Sequence, residues 1–397
     1  MHTQRVVQNA SKIIEAYDYS VSLHRFLPLF YKDHKYMGSR DRRQASALVY
    51  HYFRLGNAFP NQPLEARLAL ADFLCSESFS PIYADYFKVS RSEKTFTLQQ
   101  RLQFLTGAFK DFNLLDIFPL KDNLSPSLNK FEFIQSLAIQ PALFIRIHPD
   151  VNAEWLFGEL KNREIEFKKL PGCRNTLKFK NGTKLDEIWA LGMEEFNVSP
   201  FEIQDFASQQ TGEFINPMPD EYWWDSCAGA GGKSLMLKSK CPDFTLLATD
   251  VRKSILKNYE ARMDRSGFGR YTTKVVDLKK GTPFEVKENQ FDGIIADVPC
   301  SGSGTWGRSP ENMINAKEKE ISEFAELQFS LVKEMVPYLK PGKPLFYITC
   351  SVFEMENEDV VDKLIQNTSL TLDSMRLIKG YADNADNLFI AKLINQP

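Results

Sequence analysis

No stretch of this chain approaches the ~18 consecutive apolar residues that a membrane-spanning helix needs. The opening residues, MHTQRVVQNASK, lack an apolar core behind a basic region, so no secretory leader is expected there. None of the six cysteines (Cys75, Cys173, Cys227, Cys241, Cys300, Cys350) falls in a C-x-x-C pair or at a metal-ligand spacing. Reduced thiols in a cytoplasm fit that pattern best. There is no excess of either charge, with 49 basic against 51 acidic residues, so bulk attraction to nucleic acid is excluded too. Internal repeats and low-complexity tracts are also missing.

What is present is ordinary in bulk and uneven in detail. A chain of 397 residues with 43% hydrophobic content is long enough for two or three domains with a large core. Residues 1–54 hold nine Lys and Arg (among them Arg40, Arg42, Arg43 and Arg54) against four acids, a local basic excess. Such a face can bind phosphates on a near-neutral protein, although a solvated helical surface explains the charge equally well. The spacing predicts helices over Val6–Tyr17 and Ser39–Leu55, the second starting with Ser39 as its cap. Residues 1–130 read as a helical domain, with the Phe and Tyr of 79–118 as core. Residues 131–212 read as a small α+β module, with strands at Ala142–Ile147 and, around Pro171-Gly172, at Glu166–Leu170 and Thr176–Phe179, and a turn at Asn181-Gly182.

From residue 213 onward strand and helix alternate. Strands are predicted at Tyr222–Asp225, Thr245–Asp250, Tyr271–Val276, Asp292–Asp297 and Pro344–Thr349. Helices fall between them at 233–240, 252–265, 317–339 and 355–366. This is the pattern of a doubly wound α/β sheet, Rossmann-like, and it closes on an antiparallel hairpin, Thr371–Leu377 with Leu388–Ile394. The segment Cys227-Ala228-Gly229-Ala230-Gly231-Gly232-Lys233 lies between the first strand and its helix, where backbone can approach a ligand closely. A phosphate loop would need glycine where Cys227 stands. A dinucleotide fingerprint would need glycine where Ser234 stands. The remaining reading is a nucleoside cofactor without pyrophosphate. Acids at the strand tips, Asp225, Asp250, Asp277 and Asp297, would repel a polyphosphate and suit a cationic, hydroxyl-rich ligand. S-adenosyl-L-methionine fits that description. Asp250 is placed for the ribose hydroxyls and Asp277 for an adenine amino group, with Arg252 in the same pocket.

Two apolar runs end on cysteines with polar turns behind them, Asp297-Val298-Pro299-Cys300 and Thr349-Cys350-Ser351. Buried cysteines are common small hydrophobes. Two at matched strand ends, where α/β sheets gather their chemistry, point to function.

These residues resemble the RNA cytosine C5-methyltransferases of the NOL/NOP/Sun-domain type, a class I S-adenosylmethionine-dependent fold. The resemblance rests on Asp225–Ser234, on Asp297–Gly302 with Gly304-Thr305, and on Tyr347–Ser351 leading to Glu356-Asn357-Glu358. It covers roughly residues 200–397, and more weakly reaches a NusB-like RNA-binding region around Gly38–Tyr50. It departs at Gly229-Ala230, where the family usually has Ala-Pro, and at Gly342-Lys343, where a paired glycine is usual. The resemblance implies Cys350 as nucleophile, Cys300 as the group assisting release, and Asp297 and Lys233 at the target base. Ser351-x-x-Glu354 reads as a capping box that would set Cys350 against a helix N-terminus. The implied partner is RNA, ribosomal or transfer, with no metal and no membrane, and the chain is expected to act as a monomer. A redox enzyme with a cysteine pair and a non-catalytic RNA-binding protein are the rival classes.

Overall fold

The computed structural model describes residues 2–90, 95–171, 173–281 and 287–397. The chain folds as two compact units: Met1–Leu124 with Leu128–Gln140 and Thr305–Glu318, and Ser125–Ser127 with Pro141–Gly304 and Lys319–Pro397. This departs from a three-part division in two respects. The α+β module shares a unit with the alternating region, and a short excursion, Thr305–Glu318, leaves that unit to join the helical one.

The helical unit is built from His2–Ala16, Leu23–Asp33, Ser39–Arg54, Leu64–Cys75, Pro81–Phe87, Leu98–Ala108 and Lys130–Ser136. Its first helix turns Val6, Ala10 and Ile13 inward at helical spacing, and they share a core with Leu48, Val49 and Phe53. Ser39 is not the cap: Gly38 holds that position without a side-chain bond, and Ser39 is already helical. Arg42 is structural, donating to the Met37 carbonyl at 2.8 Å and lying over the Tyr31 ring. Arg54 is buried, its guanidinium donating to the carbonyls of Leu137 and Gly307 at 2.9 and 2.7 Å. The 79–118 aromatics form ring clusters around Phe73 and Tyr83, but Tyr86 and Phe104 are exposed. Part of that stretch lies outside the described residues.

The second unit holds two sheets. β1 (Leu143–Ile147), β2 (Lys168–Leu170), β3 (Cys173–Phe179) and β4 (Phe201–Ile203) make an antiparallel sheet in the order β2-β3-β1-β4. Ile145, Ile147 and Leu177 pack on Leu156, Leu160 and Ile188 from its two helices. Against expectation β2 starts two residues late and β3 three residues early, and Gly172 between them lies outside the described residues.

The larger sheet contains β5 (Tyr222–Asp225), β6 (Thr245–Asp250), β7 (Tyr271–Val275), β8 (Gly293–Asp297), β9 (Pro344–Thr349), β10 (Leu370–Lys379) and β11 (Asn387–Asn395). Its order is β10-β11-β9-β8-β5-β6-β7. β5 to β9 are parallel to one another, and the terminal hairpin runs antiparallel to β9. This is the class I methyltransferase arrangement. The strand order reverses between β5 and β8, and the crevice at such a switch point is where open α/β sheets bind ligands.

Candidate active site at the switch point

The turn after β5 carries the glycine loop. Ala228 N–H donates to the Thr249 carbonyl at 2.8 Å, which ties the loop to β6. Gly229 N–H donates to Asp250 Oδ2 at 3.0 Å. Gly231 has φ +85°, and a Cβ there would meet the Tyr259 ring at 2.7 Å, so only glycine fits. The helix Gly232–Lys240 follows at once and carries Lys233 inward.

Asp250 ends β6 nearly buried and accepts from Arg252 through the backbone N–H, Nε and Nη2 at 2.9–3.1 Å. Burial pushes its pKa up, but the Arg252 bonds and charge outweigh this and leave it below the usual carboxylate range. The Arg252 side chain is 63% exposed, so it can yield to a better-placed donor. Asp277 does not end a strand, because β7 stops at Val275. It caps a 3₁₀ turn instead, accepting from Lys279 N–H at 3.2 Å with Lys280 3.5 Å away.

Asp225 corrects the expected ring of acids. It is sealed beneath the loop and accepts from Ser234 Oγ at 2.5 Å. Burial pushes its pKa up to about 7, with Asp297 adding to the rise and the Ser234 bond opposing it. An acid so enclosed organises the loop and meets no ligand. The Cys227 thiol is pushed up to about 12, mainly by burial and next by Asp225.

The chemical half of the crevice lies at β8 and β9. Lys233 Nζ donates to Asp297 Oδ2 at 2.9 Å. Burial opposes charge on Lys233, but the Asp297 charge and hydrogen bond, helped by Cys350, raise its pKa overall. The Cys300 and Cys350 sulfurs are 3.2 Å apart. The Cys300 thiol is pushed well up, first by its hydrogen bond to Cys350 and then by burial. Gly304 N–H donates to the Cys350 carbonyl at 2.8 Å, and a Cβ there would lie 2.1 Å from the Asn387 carbonyl oxygen. Asn357 brackets Cys350: its Oδ1 accepts from Thr349 Oγ1 at 2.6 Å and its Nδ2 donates to the Ser351 carbonyl at 3.0 Å.

The expected capping box does not form. Ser351 Oγ accepts from Phe353 N–H and donates to Glu356, not Glu354, and the next α-helix starts only at Glu358. Cys350 therefore gains nothing from a helix terminus, and the cation in electrostatic reach is Lys233. The sequence pattern includes Tyr347, Glu356 and Asn357 without assigning them a role, and it does not include Gln328. Gln328 carried one signal, a polar residue on the buried stripe of the helix Glu318–Met335.

Residues 213–394 match the family described as 16S rRNA methyltransferase RsmB/F. A probable ribosomal RNA small subunit methyltransferase B from Bacillus subtilis is 31% identical over 216 residues, 53% of this chain and 46% of that relative. The chain thus spans about half the length of that curated protein. Among solved structures, PH0851 aligns over 99% of this chain and 98% of its own, with TM-score 0.70 at 21% identity. NSun6 from Pyrococcus horikoshii with SFG covers 70% of this chain and 97% of its own, with TM-score 0.59 at 17% identity. At those identities the likeness is one of fold. Residues 213–394 of this chain are thus similar to the RsmB/F family of methyltransferases.

Proposed function

We propose that the chain methylates C5 of a cytosine in RNA, ribosomal RNA first among the candidates, with S-adenosyl-L-methionine as donor. The observation that carries this is the pair of sulfurs 3.2 Å apart, at the ends of neighbouring strands β8 and β9, with Lys233 and Asp297 beside them. The donor fits the residues present. Gly231 takes its left-handed turn against the Tyr259 ring, Asp250 offers a carboxylate to ribose hydroxyls once Arg252 moves aside, and Asp297 ends the neighbouring strand β8 at the same crevice. Among the described residues there is no cluster that could hold a metal ion and no helix long and apolar enough to cross a membrane. Bound S-adenosyl-L-methionine supplies the electrophilic methyl group.

The protein's part begins with Cys350. Cytosine C5 is a poor nucleophile until a thiolate adds to C6, which makes C5 enamine-like. Cys300 keeps its proton while Cys350 is the thiolate, because it donates its S–H to that sulfur. Once Cys350 is bonded to C6, the largest cause holding the Cys300 proton is gone. Cys300 then gives that proton up to solvent and, as a thiolate, takes the C5 proton as the Cys350–C6 bond breaks and Cys350 leaves. Asp297 accepts from the exocyclic amine of the base, and Lys233 holds that carboxylate in place. The target base reaches the crevice unpaired or flipped out. The reduced thiols are read as those of a cytoplasmic protein.

The test is a denaturing gel after incubation with unmodified RNA and methyl donor. Cys300→Ala should leave a stable protein–RNA adduct, and Cys350→Ala should give neither product nor adduct. The reverse pattern would exchange the roles. An adduct from neither variant would remove the two-thiol mechanism, and transfer RNA in place of ribosomal RNA in the same gel decides between the two substrates.

A further inference from the structure

We propose that Glu356 is a positioning residue for this reaction: one buried carboxylate bridges the turn behind Cys300 to the turn behind Cys350 and so fixes the distance between the two sulfurs. The inference rests on the reading in which Cys350 attacks and Cys300 assists. Glu356 is fully buried. Its Oε1 accepts from Ser301 N–H at 2.8 Å and from Gln328 Nε2 at 2.9 Å. Its Oε2 accepts from Ser301 Oγ at 2.5 Å and Ser351 Oγ at 2.6 Å. Ser301 follows Cys300 and Ser351 follows Cys350, so a single side chain ties both cysteine-bearing turns.

Gln328 closes the bracket on the other flank of Cys300. Its Nε2 also donates to the Pro299 carbonyl at 3.0 Å, and its Oε1 accepts from the Tyr347 hydroxyl at 2.9 Å. Pro299 and Ser301, the two neighbours of Cys300, are thus held by one hydrogen-bonded pair. Four donors converging on two oxygens suit a carboxylate, whereas an amide would set a donor against donors. The negative charge on Glu356 also helps keep the proton on Cys300. A residue that served stability alone would not need to reach both turns.

The full chain carrying Glu356→Gln tests this in two ways, with circular dichroism reporting the fold. In a titration with oxidised glutathione, two thiols and one oxidised glutathione give one protein disulfide and two reduced glutathiones. Peptide mapping of the Cys300–Cys350 pair then reads its effective concentration. That concentration should fall at least tenfold from wild type. On the denaturing gel, Glu356→Gln should accumulate an RNA adduct as Cys300→Ala does, with donor affinity within twofold of wild type. An unchanged effective concentration, or a wild-type chain that forms no such disulfide, would overturn the proposal. So would an adduct absent from Glu356→Gln while Cys300→Ala traps one. If Cys300→Ala itself traps nothing, the two-thiol reading fails and the glutathione titration alone still decides the bridge. Should Glu356→Gln not fold, the double variant Ser301→Ala with Ser351→Ala removes both hydroxyl contacts to Glu356, leaving the Ser301 N–H bond, and must lower the effective concentration in the same direction.

Discussion

Asp225 and Asp250 end adjacent strands, yet their surroundings split them into opposite roles. Asp250 keeps its charge through Arg252 and the Gly229 N–H, so Asp250→Ala should weaken S-adenosyl-L-methionine binding by about 1.5–3 kcal/mol, the scale of a charge-assisted hydrogen bond. Calorimetry measures it directly, and wild-type affinity would place the ribose elsewhere. Asp225 has a raised folded pKa, about 7, so its contribution to stability is fully present below pH ~4 and is lost as pH rises toward 7. For a group so enclosed the loss is on the order of 4 kcal/mol. Urea unfolding from pH 4 to 8 should therefore show a falling contribution in the wild type that Asp225→Asn removes. His148, whose pKa burial lowers, acts with the opposite sign in part of that window. The difference between the two proteins isolates Asp225, and parallel pH profiles would refute its assignment.

At the scale of elements, the geometry of the crevice depends on turns that carry none of the proposed catalytic groups. Gly304 packs so closely that a methyl group would sit 2.1 Å from the Asn387 carbonyl oxygen and 2.9 Å from that of Cys350. Gly304→Ala must push apart β11 and the Cys350 turn. Overpacking of this kind costs about 1–3 kcal/mol, and unfolding should show a loss of that size or more. Methyl transfer should fall at least tenfold, because the displaced carbonyl belongs to Cys350, the proposed nucleophile. Stability and activity both at wild-type level would mean that the β11 contact is loose in solution. The motif residues around Gly304 and Glu356-Asn357 were legible in the sequence as a pattern. Their contacts were not, since Ser301 and Glu356 meet across the sheet and no local periodicity records such a pairing.

For the molecule as a whole, the two units are interleaved in sequence. Thr305–Glu318 leaves the methyltransferase unit immediately after Gly304 and belongs to the helical unit, where Trp306 lies 5.7 Å from Phe118 and Glu311 accepts from Leu23 N–H at 3.0 Å. Removing residues 1–140 therefore takes away the surroundings of buried Trp306 and Met313. Trypsin should cut the truncated protein after Arg308 far faster than the full chain, and equal rates would show that the excursion holds itself together. Phosphate binding is a separate question on the same unit. Arg42 and Arg54 are committed to internal contacts, whereas Arg40 and Arg43 are exposed. Reversing the charge of Arg40 and Arg43 should lower the salt dependence of RNA binding by about one unit of slope per lost phosphate contact. An unchanged slope would assign that charge to solvation.

The amino-acid sequence by itself determined the alternation of strand and helix, the glycine loop, the closing hairpin and the placement of Cys300, Asp297 and Cys350 at strand ends. Each of these is written in short-range periodicity and turn chemistry, which act over a few residues. The tertiary structure alone decided which strand-tip acid is sealed and which is open, because burial of Asp225 depends on Ser234 and the packed loop above it. It also decided that Ser351 turns to Glu356 in place of Glu354, and that Gln328, distant in the chain, secures the turn of Cys300. Those outcomes follow from satisfying buried polar groups, a condition set by whatever the fold brings near them.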